Sequence, residues 1–229
     1  MRQLILFGVL LGGALPLGPS RADADHTLSL SVVQVQAYGG PGKMYYGSGV
    51  VVSPERIATN CHVTRAAVRI MVAKAPMSYP AVGPQADIRR DLCLLTTPGI
   101  PFPVANLGRT EQLTIGQPLY FYGYPRAVGI SFSEGQVRAL HPFEGGRIIE
   151  TSANFTSGAS GGGIFSANGK LMGLATFLAP GQAGRYYAIP SDWIPALSAL
   201  ETHKIEPLQG LSFWEDSALW PAFLRAPRP

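Results

Sequence analysis

From residue 32 onward the strand-like runs of this sequence are short, none longer than eight residues, and most end at glycine, proline, serine or threonine. They are Val32–Gln36, Tyr45–Val52, Arg56–Thr59, Val68–Val72 and Asp91–Thr96. A second set follows: Pro118–Tyr122, Ile130–Phe132, Gln136–Leu140, Arg147–Ser152, Gly162–Phe165, Lys170–Phe177 and Arg185–Ile189. Such runs are too short for long core helices. At this spacing, with so many β-branched and aromatic residues, they predict an all-β sandwich or barrels. Asn168-Gly169 between two runs predicts a hairpin, because both residues accept positive φ. The stretch Pro98-Gly99-Ile100-Pro101-Phe102-Pro103 breaks helix and sheet alike and predicts a link between two halves.

One helix is predicted over Ser191–His203, with Ser191 as N-cap and Trp193, Ile194, Leu197 and Leu200 on its apolar side. Residues 206–229 form a tail in which Trp214, Leu219, Trp220 and Phe223 are expected to pack back on the body. Only 39 residues follow Pro190. That is below the roughly 50 a further domain needs, so no appended module is expected.

The N-terminus reads as an address. Met1-Arg2 carries one positive charge, Leu4 to Leu17 carry none, and Ala22-Asp23-Ala24 resembles a cleavage site. A signal peptide over 1–24 is expected, with cleavage after Ala24 or, second, after Ala22. The apolar stretch falls short of the roughly 20 residues that span a bilayer, which disfavours the alternative of an uncleaved anchor. No stable membrane span is expected after cleavage, and the location is secreted or periplasmic. Hydrophobic residues make up 46% and charged residues 14%, which excludes a disordered chain. The net charge of +4 is scattered, with no basic run or stripe, so no nucleic-acid partner is expected.

Three segments carry chemistry. Gly47-Ser48-Gly49 leads to Thr59-Asn60-Cys61-His62-Val63; Asp91-Leu92-Cys93-Leu94-Leu95 follows; Thr156-Ser157-Gly158-Ala159-Ser160-Gly161-Gly162-Gly163 comes last. They supply a His, an Asp and a Ser in the chain order of chymotrypsin-like double barrels. A serine hydroxyl needs a base to become a nucleophile, and His62 has the right proton affinity. The imidazole needs an acceptor on its other nitrogen, which Asp91 can be. Glycines around Ser160 let the N–H groups of Gly158 and Ser160 face a developing oxyanion. Each residue has a plainer alternative: a core histidine, a capping aspartate as Asp87 reads, a glycine-loop serine as Ser157 reads.

Thr59-Asn60-Cys61-His62-Val63 resembles the T-N-x-H-V of trypsin-like serine proteases of the bacterial HtrA/Deg type. Asp91-Leu92-Cys93-Leu94-Leu95 resembles their D-L-A-L-L, and Gly158-Ala159-Ser160-Gly161-Gly162 their G-N-S-G-G. Asn168-Gly169-Lys170-Leu171-Met172-Gly173 and Tyr187-Ala188-Ile189-Pro190 resemble N-G-x-x-I-G and F-A-I-P. The resemblance runs from about Gly47 to Ile194. It implies two six-stranded antiparallel β-barrels, about 27–105 and 112–190, with a short C-terminal helix, in a protease domain over 25–205. It implies His62 as general base, Asp91 as its orienter and Ser160 as nucleophile, acting on a protein or peptide substrate. It also implies that Leu174, Ala175 and Thr176 pair with the substrate backbone as an added strand. Asn154 and Phe155 fall where the family has the wall of its S1 pocket. With no carboxylate there, a small or medium apolar P1 residue is expected. Ala159 replaces the family's Asn or Asp, so no zymogen switch through that residue is expected, and the family's PDZ module has no counterpart.

Cys61 and Cys93 flank the proposed base and its orienter. If His62 and Asp91 touch, a Cys61–Cys93 disulfide is geometrically accessible in an oxidising compartment; two buried free thiols are the alternative. Two cysteines and scattered histidines make no zinc pattern, and no metal or cofactor is expected. The expected activity is exported serine endopeptidase, through an acyl-enzyme. The alternatives are a catalytically inactive binding module on the same fold, and an esterase.

Overall fold

The computed structural model describes residues 25–178 and 184–225. The expected signal peptide lies outside them. The first half holds β1 (Val32–Tyr38), β2 (Met44–Ser53), β3 (Arg56–Thr59), β4 (Arg69–Lys74), β5 (Met77–Pro80), β6 (Gly83–Asp87) and β7 (Leu92–Thr96), in the order β5-β4-β1-β2-β3-β7-β6. The second half holds β8 (Pro118–Gly123), β9 (Ser131–Phe143), β10 (Gly146–Thr151), β11 (Gly163–Ser166), β12 (Leu171–Leu178) and β13 (Tyr186–Pro190). These six close into a barrel, β10-β13-β12-β11-β8-β9. All the strand pairs are antiparallel. The architecture is thus the all-β double-barrel type, with the first half an open seven-stranded sheet rather than a closed barrel of six strands.

Most central strands coincide with the runs in the sequence; the edge strands do not. β5 and β6 contain Pro80 and Pro84 and lie at the two edges of their sheet. A proline cannot donate to a ladder, so only an edge tolerates it, and there it hides the strand from pattern reading. β9 unites two predicted runs across Gly135. A Cβ at that position would lie 2.0 Å from the backbone N of Ala153, so this glycine marks a close approach within a strand rather than a break. At the β11–β12 hairpin only Gly169 takes positive φ, at 75°.

The predicted helix over Ser191–His203 is corrected. A 3-10 turn, Ser191–Trp193, leads into a short helix ending at Ser198. Ser191 caps nothing; its buried hydroxyl donates to the carbonyls of Gly108 (2.9 Å) and Met172 (3.0 Å). The Gln85 amide takes the carbonyls of Ser198 and Leu200, and the His203 N–H donates to Pro84 O at 3.0 Å. The chain is thereby drawn out alongside β6, and Leu200 is left exposed.

Each half has its own core, with Val35, Ile57, Ile70 and Leu95 in one and Leu119, Phe121, Ile149 and Ile164 in the other. A third cluster joins the halves, linking Val50 and Leu94 to Tyr120, Ile148, Leu174, Phe177 and Phe213. Burying one such side chain contributes about 1.5–3 kcal/mol, so packing of these residues holds the halves together. Among the described residues no helix is long and apolar enough to cross a membrane.

Candidate active site

The site lies on this seam. β3 delivers Thr59 and Asn60, and a one-turn helix, Cys61–Thr64, follows. Asn60 is fully buried. Its Nδ2 donates to the Asp91 carbonyl (3.0 Å) and to Thr176 Oγ1 (3.1 Å), tying together the first sheet, the Asp91 turn and β12. Asp91, at the entrance to β7, has φ 57°, a conformation aspartate tolerates better than most residues. Its carbonyl accepts from the Cys61 N–H at 3.3 Å.

The Asp91 carboxylate is buried and takes three donors. Oδ1 accepts the His62 backbone N–H at 2.8 Å, and Oδ2 lies 2.7 Å from His62 Nδ1. Oδ2 also accepts the indole N–H of Trp214 at 2.9 Å. An ionised carboxylate only accepts, so the imidazole proton sits on Nδ1 and Nε2 is left as the acceptor. Burial alone would lower the proton affinity of His62. The Asp91 charge, its hydrogen bond and then Glu215 outweigh burial and the nearby Arg65, and hold His62 above the usual histidine value.

Cys61 and Cys93 form a disulfide with Cα atoms 5.0 Å apart, bracing the segments that carry His62 and Asp91. Their sequence separation is 32. Replacing both with serine is expected to lower stability by about 2–4 kcal/mol, the range for a loop of this length. A urea midpoint unchanged from the parent protein under oxidising conditions would contradict that expectation.

Ser160 is held by backbone bonds. Its carbonyl accepts the Ser48 N–H at 2.7 Å; the Gly161 N–H donates to Ala175 O and the Ala175 N–H to Gly162 O, each at 2.8 Å. Ser48, between its two glycines, is a second tie. Its hydroxyl donates to the Gly158 carbonyl (3.0 Å) and accepts the Tyr124 N–H (2.8 Å). Gly161 has φ 85°, and a Cβ there would lie 2.0 Å from the Ser48 carbonyl, so this turn requires glycine. Ala159 faces inward, buried against the barrel core. The N–H groups of Gly158 and Ser160 donate to no acceptor among the described residues. The Ser160 hydroxyl donates to the Thr176 carbonyl at 3.3 Å. His62 and Ser160 line one cleft of about 390 Å³, shared with Ser157, Gly158 and Arg126 and walled by Met44, Tyr45 and Tyr46.

The expected substrate contacts are placed differently. Asn154 is exposed, and its carbonyl accepts the Ser133 hydroxyl at 2.7 Å. Phe155 is buried in the barrel, its ring centroid 5.5 Å from Phe121 and 5.1 Å from Tyr186. Neither lines the cleft of His62 and Ser160. Leu174 and Ala175 pair with Ile189 and Ala188 on one side and with Gly163 and Gly162 on the other. Their backbone therefore has no free edge for an added strand, which corrects that expectation. At Thr176 the β11 side opens, and its carbonyl already accepts from Ser160. Asp87 is a turn cap, accepting the Arg90 N–H at 3.1 Å.

Sequence reasoning missed Ser48, Asn60 and Trp214 as parts of this site. The first two lie in segments already singled out. Trp214 lies 123 residues from Asp91, with no local pattern to announce it.

Residues 47–174 match the family of the trypsin-like peptidase domain. A probable periplasmic serine endoprotease DegP-like of Halomonas elongata is 29% identical over 162 residues, 64% of this chain and 33% of that protein. Serine protease HTRA4 of Mus musculus is 32% identical over 161 residues, 65% of this chain and 32% of that protein. The chain spans about a third of the length of these curated relatives. Among solved structures, the serine endoprotease from Yersinia pestis superposes with a TM-score of 0.67 at 25% identity, covering 78% of this chain and 65% of that one. The Rv3671c protease from M. tuberculosis, in its active form, gives a TM-score of 0.69 at 21% identity, covering 80% and 84%; that likeness is one of fold.

Proposed function

The chain belongs to the trypsin-like peptidase family, and from that premise we propose that it is an exported serine endopeptidase acting through His62, Asp91 and Ser160. The observation that carries the reading is the 2.7 Å contact between His62 Nδ1 and the buried Asp91 carboxylate, in the cleft that also holds Ser160. Ser160 Oγ attacks the scissile carbonyl carbon while His62 Nε2 takes its proton. Asp91 stabilises the imidazolium that results. The free N–H groups of Gly158 and Ser160 receive the oxyanion. His62 then protonates the leaving amine; water, deprotonated by His62, attacks the acyl carbon, and His62 returns that proton to Ser160 Oγ as the ester bond breaks. Export is supported by the expected signal peptide and by relatives named as periplasmic.

One observation favours a second reading, a non-catalytic binding module. The Ser160 hydroxyl rests on the Thr176 carbonyl rather than on His62. The peptidase reading therefore requires the Ser160 hydroxyl to leave the Thr176 carbonyl for His62 Nε2.

Cleavage profiling on a peptide library decides between them. Internal peptide-bond cleavage, absent in Ser160→Ala, is the expected result. No products from folded protein, or the same products from the variant, would falsify the reading.

The raised proton affinity of His62 sets two pH dependences. The general base must be neutral, so turnover falls as pH drops through the raised value, and the acid limb lies above that of a free imidazole. For stability the sign is opposite. The His62 contribution is fully present below about pH 6.5 and is lost as pH rises through the folded value. An acid limb below pH 6.5 in kcat/KM would contradict the first.

A further inference from the structure

The C-terminal residues, expected only to pack back on the body, enter the candidate site. Phe213 is fully buried, its ring 4.7 Å from Phe143 and 5.9 Å from Phe177. Glu215 accepts two bonds from the Arg65 guanidinium (2.6 and 2.8 Å) and two from Ser212, through its N–H (3.0 Å) and hydroxyl (2.8 Å). Arg65 is three residues beyond His62. Trp214 is thereby fixed on both flanks, and its carbonyl accepts the Trp220 indole N–H at 2.9 Å.

Its own indole contacts both members of the His62–Asp91 pair. Nε1–H donates to Asp91 Oδ2 at 2.9 Å. The ring edge meets His62 at 5.4 Å and 83°, and its face stacks on Phe177 at 5.0 Å and 6°. The nearest hydroxyl on β12 does not substitute for it, because Thr176 Oγ1 donates to Leu174 O at 2.7 Å. Without Trp214, Oδ2 would keep a single donor, and the covered face of the ion pair would open to water.

We propose that Trp214 is a positioning residue for His62 and Asp91, so that the C-terminal segment is part of the catalytic apparatus. A charge-assisted bond from a rigid indole fixes the carboxylate plane, and hence the tautomer and angle of the imidazole. The ring also excludes water, which strengthens the interaction it covers. This proposal rests on the serine-peptidase reading for its kinetic consequence, but not for its structural one.

The test compares Trp214→Phe, which keeps a stacking ring and deletes the donor, with Trp193→Phe. Trp193 donates a similar bond to Glu144 O at 3.0 Å and makes no hydrogen bond or ring contact with His62, Asp91 or Ser160. Three readouts are taken on the full chain: kcat and KM, the acid limb of the pH profile, and the low-field proton resonance of His62 Nδ1–H. In Trp214→Phe, kcat is expected to fall roughly ten-fold with KM little changed, as for an interaction used in the transition state. The acid limb is expected to move to higher pH, because Asp91 then shares its charge with His62 alone and not with the indole. The low-field resonance is expected to shift or exchange away. Trp193→Phe is expected to change none of the three.

Wild-type values for all three in folded Trp214→Phe would overturn the proposal, as would equal shifts in Trp193→Phe. If wild type is as inert as Ser160→Ala while the resonance still moves in Trp214→Phe, the peptidase reading fails and the positioning role stands. Should Trp214→Phe fail to fold, Glu215→Gln releases the same indole from its Arg65 clamp. Because that substitution also removes a charge that raises the proton affinity of His62, only the resonance is read: it is expected to shift or exchange away, and a wild-type resonance there would overturn the proposal.

Discussion

Replacing Ser160 with alanine is expected to lower peptide turnover by roughly 10⁴–10⁶-fold, because the bond-forming atom is gone and only binding and the oxyanion donors remain. Stability should barely move. The Ser160 side chain makes one long bond, to Thr176 O at 3.3 Å, while the loop is held by backbone bonds involving Ser48, Ala159, Gly161 and Ala175. Loss of one such hydroxyl is a change of about 0.5 kcal/mol or less. Turnover and urea midpoint measured on the same preparation separate the two effects. A loss of activity matched by a large drop in the midpoint would attribute the effect to folding instead.

Asp91→Asn is the second large effect, expected at about 10⁴-fold in kcat. The variant is expected to fold, since asparagine also tolerates the positive φ at this position. The amide can still accept the His62 backbone N–H through its oxygen. Its NH₂ then faces His62 Nδ1 and the Trp214 N–H, which are both donors in the parent arrangement. His62 is expected to answer by moving its proton to Nε2, the nitrogen that must take the proton of Ser160. Nitrogen NMR of the imidazole reads the tautomer directly, and an Nδ1-protonated ring with wild-type kcat would contradict the assignment of Asp91.

Much of the architecture was legible because a buried strand writes itself as a short local run of apolar and β-branched residues bounded by turn residues. β3 (Arg56–Thr59) is the clearest instance: it pairs with β2 on one side and β7 on the other, and its run appears in the sequence with the same bounds. What was not legible depends on position in the sheet or on distant contact. Pro80 and Pro84 mask two edge strands, and Gly135 mimics a break that is a close approach to Ala153. The helix after Pro190 stops early because Gln85, more than a hundred residues away, takes its carbonyls. The same division holds in the site. His62, Asp91 and Ser160 announce themselves through their neighbours, Asn60, Cys93 and the glycines of 158–163. Trp214 has no such signal, since its role arises only when Phe213 is buried and Glu215 meets Arg65. Leu174 and Ala175 mislead for a related reason: a motif locates a strand, but the pairing on both of its edges decides whether that strand can accept another.

The central claim is that Ser160 is a nucleophile activated by His62. Mapping the adduct of a fluorophosphonate probe by peptide mass spectrometry, between pH 6 and 9, tests it most directly. The account predicts one adduct, on the Thr156–Gly163 segment at Ser160, formed faster as His62 loses its proton and absent from His62→Ala. An unmodified folded protein across that range, or an adduct on any other residue, would contradict it.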